Sequence, residues 1–360
     1  MKPAEFASQF RYSEDRHTKK NNFINNKLEV YEVHNSLMIT KNSSPIIYSS
    51  LKRVAKNLLI DHIQINLYVY GSSEINAKCY NGYNGGYVVI LSSALVTLLE
   101  GNELDFVIGH ELGHLLFGHT KEISFSSPEG MKLSRAKELS VDRIGLVATR
   151  DLDATLRAIV KTISGLPSKF LNFNIAEFIN QLRKFDVDAS DLLGQTTHPS
   201  FPIRARALLL FSQSDEYQLL FGEKGKKLLE IDKAIKREMD KHIDKSFNER
   251  TLELKKAFNF WLTCFAAISD KSLSKDEQTF ISKKYGKEKL NKFKALIVDR
   301  SLKEIEDLVN NRLLKAWEEL TDFKTISASE GLTKEITELT NTFKIQDLEQ
   351  RFRELLKEDK

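Results

Sequence analysis

Apolar and polar residues alternate along the first half of the chain with two different periods. The positions Ile47, Leu51, Val54, Ala55 and Leu58 recur at helical spacing, and Ser44-Pro45 in front of them reads as an N-cap followed by proline at the first helical position. The period then falls to two. Ile63, Ile65, Leu67 and Val69 alternate with Gln64, Asn66, Tyr68 and Tyr70, as in a strand with one buried face. Residues 81–86, rich in Gly and Asn, predict a turn, and Tyr87 to Leu91 a second strand. Helical spacing returns at Asn102, a candidate N-cap with Glu103 and Asp105 in the first turn, where carboxylates oppose the positive end of the helix dipole. A further helix is expected from about Leu133 to Arg150, and two or three more before His198.

The flanks differ from this middle. Residues 1–43 are polar, with an Asn/Lys cluster between Lys19 and Lys27, and are expected to form a loosely structured arm. Beyond Gly222 the chain turns to Lys, Glu and Leu with long helical periodicity and almost no Gly or Pro, so residues 222–360 are expected as a separate all-α domain. Phe258, Trp261, Leu262, Phe265 and Ile268 form an apolar helix face there, which core packing explains. The fold class expected is α+β, mostly helical, with a small sheet confined to the domain at 44–218.

Composition narrows the function classes. A chain of 360 residues with 41% apolar and 29% charged residues is an ordinary globular one of roughly two domains. Its net charge of +4 is a small difference between 54 basic and 50 acidic residues, and no basic stripe with interleaved aromatics appears, so nucleic acid is not expected as a partner. Cys79 and Cys264 lie far apart, which argues against a disulfide framework and fits a reducing compartment. The first twenty residues carry charges throughout and lack a signal-peptide core. The longest apolar stretch, Tyr87 to Leu99, is broken by Ser92, Ser93 and Thr97 and falls short of a membrane span. The expectation is a cytoplasmic protein without a transmembrane segment.

The chemistry concentrates at His110-Glu111-Leu112-Gly113-His114. Residues four apart on a helix lie one above the other, so both imidazoles can converge on one ion while Glu111 flanks it as a general base. A catalytic zinc takes three protein ligands and keeps a fourth position for water. The third ligand could be a histidine just downstream or a carboxylate on the next helix. A histidine at the metzincin spacing would require Gly at 117 and His at 120, where the chain has Phe117 and Thr120; His119 is one residue out of register. His119 is better explained as satisfying carbonyls at the helix end after Gly118. Glu138 and Asp142, four apart on the following helix, face one way. Glu138 can ligate the ion while Asp142 accepts the second ring N–H of a ligating histidine; both could equally pair as surface charges with Arg135, Lys137 or Arg143.

These residues, HELGH followed by Glu138-x-Ser140-x-Asp142, resemble the gluzincin family of the heat-shock protease HtpX and the CAAX prenyl proteases, metallopeptidase family forty-eight. The block Thr197-His198-Pro199 with Arg204 six positions after the histidine is similar to that family's histidine-proline block, and Ile75-Asn76-Ala77 with the strand at 86–91 to its segment before the metal helix. The resemblance covers about residues 45–212. It implies a zincin-type domain holding one Zn2+ per chain through His110, His114 and Glu138, with Glu111 and His198 catalytic, the latter hydrogen-bonding the developing oxyanion. Asp142 would support the ligands, and Arg204 would brace the acids or contact substrate; Arg206 is the less favoured arginine. A substrate strand would add to a sheet edge at Asn76–Cys79 or Tyr87–Ile90, with Asn76 and Ala77 binding its backbone. The best-known members carry hydrophobic spans that this sequence lacks, which points to a soluble branch and away from membrane-embedded prenylated substrates. In the C-terminal part, Ala266 to Asp270 running into Leu273 to Glu277 resembles a TerB-like helical domain, with Lys271 where that family has glycine.

The activity these features imply is hydrolysis of peptide bonds in protein substrates by an activated water, with the helical module as a possible partner-binding element. The alternatives are a non-catalytic peptide-binding protein on a zincin fold and a scaffold with structural zinc. The first would lack the base, yet Glu111 is present; the second favours a closed four-ligand site, commonly with cysteine, and no cysteine lies near these ligands in sequence.

Overall fold

The computed structural model describes residues 2–15, 32–81, 86–119, 127–184, 196–270, 272–345 and 347–358. The centre of the turn expected at 81–86, and residues 16–31 of the expected arm, lie outside them. The chain packs as two compact units: Met1–Phe125 with Met131–Lys245, and Ser126–Gly130 with Ser246–Lys360. The architecture is α+β and mostly helical, with a four-stranded mixed sheet in the first unit and helices alone in the second.

In the first unit, α1 (Pro3–Ser8) precedes β1 (Leu37–Met38), α2 (Pro45–Asn57), β2 (Ile65–Tyr70), β3 (Ala77–Asn81), β4 (Tyr87–Ser92) and α3 (Ser93–Leu98). The sheet order is β1-β2-β4-β3, with β2 and β4 parallel and the outer pairings antiparallel. Val89 sits between Leu67 on one side and Cys79 on the other, so β4 is interior and β3 an edge. That removes Tyr87–Ile90 as a place for an added strand: its backbone is already paired on both sides.

Two helices carry the chemistry, α4 (Glu103–Phe117) and α5 (Pro128–Thr149), followed by α6 (Leu152–Ser164), α7 (Ile175–Lys184), α8 (Phe201–Phe211), α9 (Asp215–Gln218) and α10 (Leu228–His242). Asn102 precedes α4 without a side-chain cap, contrary to expectation. The Glu103 carboxylate instead accepts the Glu100 backbone N–H at 2.8 Å and the buried Lys161 ammonium at 2.7 Å. Gly118, at φ 69°, ends the helix in the left-handed region that a side chain would resist. α5 starts at Pro128, earlier than its apolar pattern indicated.

α4 is buried on almost every side, with Leu104, Ile108 and Leu112 in a core that also takes Leu51 and Val54 of α2, Leu67 and Val89 of the sheet, and Ile144 and Ala148 of α5. The crossing with α5 is close because glycines face it. A Cβ at Gly109 would collide with Ala148, one at Gly113 would lie 3.1 Å from Ile144 Cβ, and one at Gly145 would lie 2.6 Å from the Phe106 ring.

Two expectations about organisation need correction. The part of the arm at 2–15 is ordered: Phe6, Phe10 and Tyr12 are buried, the Tyr12 N–H donates to Ser140 Oγ at 3.0 Å, and the Ser13 N–H to Asp232 Oδ2 at 3.0 Å. The domain change falls at Lys245/Ser246, not at 218–222. Helix α10 belongs to the first unit because Ile231, Ile235 and Met239 share a core with Leu139 and Ile203, and because Asp232 and Asp244 pair with Arg143 and Arg135 of α5 at 2.6 Å each.

The second unit holds α11 (Lys245–Ala267), α12 (Lys275–Tyr285), α13 (Lys287–Ile297), α14 (Leu302–Phe323), α15 (Leu332–Phe343) and α16 (Leu348–Glu358). Its core joins Phe258, Leu262 and Phe265 to Phe293, Leu313, Leu339 and Phe352, with Trp261 and Ile268 partly buried against it. Among the described residues, no helix is long and apolar enough to cross a membrane.

Candidate metal centre

On α4 the residues from Glu103 to Phe117 are buried except His110, Glu111 and His114, which form its one partly open stripe. α5 presents Glu138 to that stripe. Glu138 Oε2 lies 3.5 Å from His110 Nε2, and Glu138 Oε1 lies 3.4 Å from His114 Nε2. One ligand atom from each of the three residues lies within 4.8 Å of the others. Two imidazoles and a carboxylate at such spacing suit a small tetrahedral ion, since bonds of about 2.1 Å put neighbouring ligands about 3.4 Å apart.

Electrostatics act on the two imidazoles in opposite directions. Asp142, one turn after Glu138, is buried, which alone would raise its pKa; the Arg204 guanidinium overrides this and holds the carboxyl well below its usual range. Arg204 grips both oxygens, Nε to Oδ2 at 2.7 Å and an Nη to Oδ1 at 2.5 Å. A carboxylate so ionised can only accept, so His110 Nδ1, at 3.0 Å from Asp142 Oδ1, carries a hydrogen, and in the neutral ring Nε2 keeps its lone pair on the Glu138 side. Burial, and then the neighbouring His110, His119 and His198, push His114 well below its ordinary value, favouring the neutral ligating form. For His110 burial acts the same way, but Asp142 and Glu138 outweigh it and raise the pKa. Burial raises the Glu111 carboxyl, opposed by His110 and by a hydrogen bond with the Cys79 thiol.

Most of the residues expected from sequence converge. Asn76, Ala77, His110, Glu111, Glu138, His198 and Arg204 line one cleft of about 440 Å³. His198 reaches in from the segment before α8, its Nε2 3.6 Å from Glu138 Oε1 and its Nδ1 2.9 Å from Thr197 Oγ1. Of the two roles left open for Arg204, bracing the acid is the one its contacts express. Arg206 turns away to Glu238 at 2.8 Å. His119 is not part of this cluster: its Nε2 lies 3.2 Å from the buried Asp15 carboxylate.

Sequence reasoning missed several neighbours. Cys79 follows Ala77 by two positions on β3, so strand alternation could have placed it on the same face, against Glu111. Ser140, inside the Glu138–Asp142 block, receives the Tyr12 N–H from a segment with no pattern pointing to it.

This arrangement, two histidines on one helix and a carboxylate on the next beside a sheet edge, could hold a metal ion. Residues 43–128 match the family model "Peptidase family M48". Glu138, Asp142, His198 and Arg204 follow beyond the matched stretch. The chain is also similar to the plastoglobule-localized metallopeptidase 48, chloroplastic, of Arabidopsis thaliana, at 26% identity over 222 residues, which are 53% of this chain and 64% of that relative. The match thus spans less than two thirds of the relative's length. No solved structure is a significant match.

Proposed function

We propose that this chain is a zinc-dependent endopeptidase of the M48 type acting on protein or peptide substrates. The observation that carries the reading is the meeting of His110, His114 and Glu138 around one point with Glu111 beside them in a cleft bordered by the edge strand β3. One zinc per chain would be held by the three ligands, with Asp142 and Arg204 orienting His110. Such an ion supplies Lewis-acid polarisation of the scissile carbonyl and a water of lowered pKa.

The protein's own groups do the rest. Glu111, whose pKa burial raises, takes a proton from the attacking water and returns it to the leaving amine. His198 Nε2 donates to the oxyanion as charge develops. Ala77, at the start of the exposed edge, holds the substrate backbone as an added strand, which gives affinity with little demand on sequence; Asn76 lines the cleft but its backbone N–H and C=O are already bonded to Ser92, at 3.1 and 2.9 Å. The compartment in this reading is the cytoplasm, consistent with two cysteines that are both free.

The test is a pair of substitutions read for zinc content and for cleavage of an unfolded protein. Glu111→Gln should keep zinc and lose activity; Glu138→Gln should lose both. Intact cleavage in Glu111→Gln removes the proposed base, and full zinc in Glu138→Gln removes the third ligand. Zinc binding with no cleavage by the unaltered chain would favour the peptide-binding alternative.

A further inference from the structure

We infer that the cleft selects substrates by an apolar side chain next to the scissile bond, and that Thr162 on α6 is the position that sets this preference. The inference rests on the peptidase reading for the word "scissile" but not for the pocket itself. The cleft volume of about 440 Å³ lies in the range of about 300–1,000 Å³ typical of ligand sites. The polar group already described lines part of it. The rest is Ile75, Leu95, Phe106, Val107, Ile159, Thr162 and Phe201, brought together from the segment before β3, α3, α4, α6 and α8.

Thr162 is the polar member of this wall, three residues after Ile159 and therefore on the same helix face. It is polar in name only. Its hydroxyl is 2.9 Å from the carbonyls of both Ala158 and Ile159, so its hydrogen is committed to the helix and the methyl group is what the wall adds. None of these wall residues is charged. Arg204 is occupied by Asp142, Glu138 belongs to the candidate ligand cluster, and Glu111 is the base in the proposed reading. A lysine or glutamate side chain pressed against the wall would lose water without gaining a counter-ion, whereas leucine or phenylalanine gains by burial. The difference should be on the order of tenfold to a hundredfold in affinity.

The experiment measures binding by calorimetry, so it does not depend on turnover. The probes are hydroxamate-capped dipeptides, identical except for one side chain (Leu, Phe, Gly, Lys or Glu), added to the zinc-loaded full chain. Leu and Phe should bind at least about tenfold more tightly than Lys or Glu. Thr162→Asp, which places a carboxylate on the wall, should raise Lys over Glu by about tenfold at unchanged zinc content, while the near-isosteric Thr162→Val leaves the order as it was. Lys or Glu binding as well as Leu overturns the proposal, as does an order that Thr162→Asp fails to move. Selective binding with no hydrolysis of any peptide leaves the pocket standing and removes the peptidase reading. Hydrolysis without selectivity does the reverse, and no binding by any probe overturns both.

Discussion

The two units bury different things. The second packs hydrocarbon and rings: Phe258 lies against Trp317 with centroids 5.1 Å apart, and Phe260 against Phe293. Among its described residues the buried charged side chains are Glu129 and Lys324. The first unit buries Arg135, Arg143, Glu138, Asp142, Lys161, Arg204, Asp232 and Asp244, nearly all in pairs. Buried ion pairs are poor stabilisers compared with apolar packing, because dehydration cancels most of their attraction. What they provide is direction. Each joins segments remote in sequence, and three of them, at Arg135, Arg143 and Asp142, lie along the helix that presents Glu138. The difference teaches that the second interior is built to be stable and the first to hold a carboxylate and two imidazoles at fixed separations.

The comparison can be broken most visibly at Glu111. Glu111→Gln should cost about three orders of magnitude in peptide cleavage, roughly 4 kcal/mol of transition-state stabilisation, with unfolding midpoint and zinc content unchanged. Arg204→Ala comes next. It strands the Asp142 carboxylate, so unfolding free energy in denaturant should fall by about 3–5 kcal/mol, and zinc affinity by about 10- to 100-fold. The pairing also has a pH signature. Asp142 is depressed in the folded state, so its contribution is present above its unfolded pKa of about 3.9 and is lost as pH falls below that toward the folded value. The loss on acidification should disappear in Asp142→Asn.

Leu313→Ala, in the apolar core of the second unit, should destabilise by about 3 kcal/mol through the cavity it leaves, without altering zinc affinity. If zinc affinity falls as well, the division of labour is wrong. The smallest effect is expected at Lys137, a buried ammonium with no hydrogen-bond partner among the described residues, whose pKa burial lowers to about 8. Here folding disfavours the charge, so the unfolded chain binds more protons between about pH 8 and 10.5 and stability rises with pH across that window. Lys137→Met should therefore stabilise by about 1–2 kcal/mol at pH 7, a gain that fades toward pH 10.5. Destabilisation at pH 7 would mean that this buried charge, too, holds something in place.

What was legible in the sequence was local. His110 and His114, then Glu138 and Asp142, are four apart, and helix geometry alone puts each pair on one face. The strand at 65–70 announced itself by alternation. What escaped depended on contacts between distant segments. Nothing in residues 77–81 and 87–92 says which strand is the edge, because that follows from β4 pairing in parallel with β2. The N-terminal segment reads as polar because Arg11, Glu14 and Asp15 surround Phe6, Phe10 and Tyr12, and only the packed structure shows those rings inside. Helix α10 has the Lys/Glu-rich composition of the helices after it, yet Asp232 belongs with Arg143, a partner that composition does not reveal.

The close crossing of α4 and α5 turns those two helices into a calliper. Its jaws are the imidazoles and Glu138, 3.4–3.5 Å apart, and its stop is the absent side chains at Gly109, Gly113 and Gly145. A gap of that width sizes the ion as well as binding it. Calcium is disfavoured by the donors, since it takes six to eight oxygens and two of the three groups here offer nitrogen. The spacing of the jaws is set away from the ligands, at three glycines that face the opposite helix. A methyl group at Gly109 should prise the jaws apart and loosen the hold on zinc while every ligand remains in place.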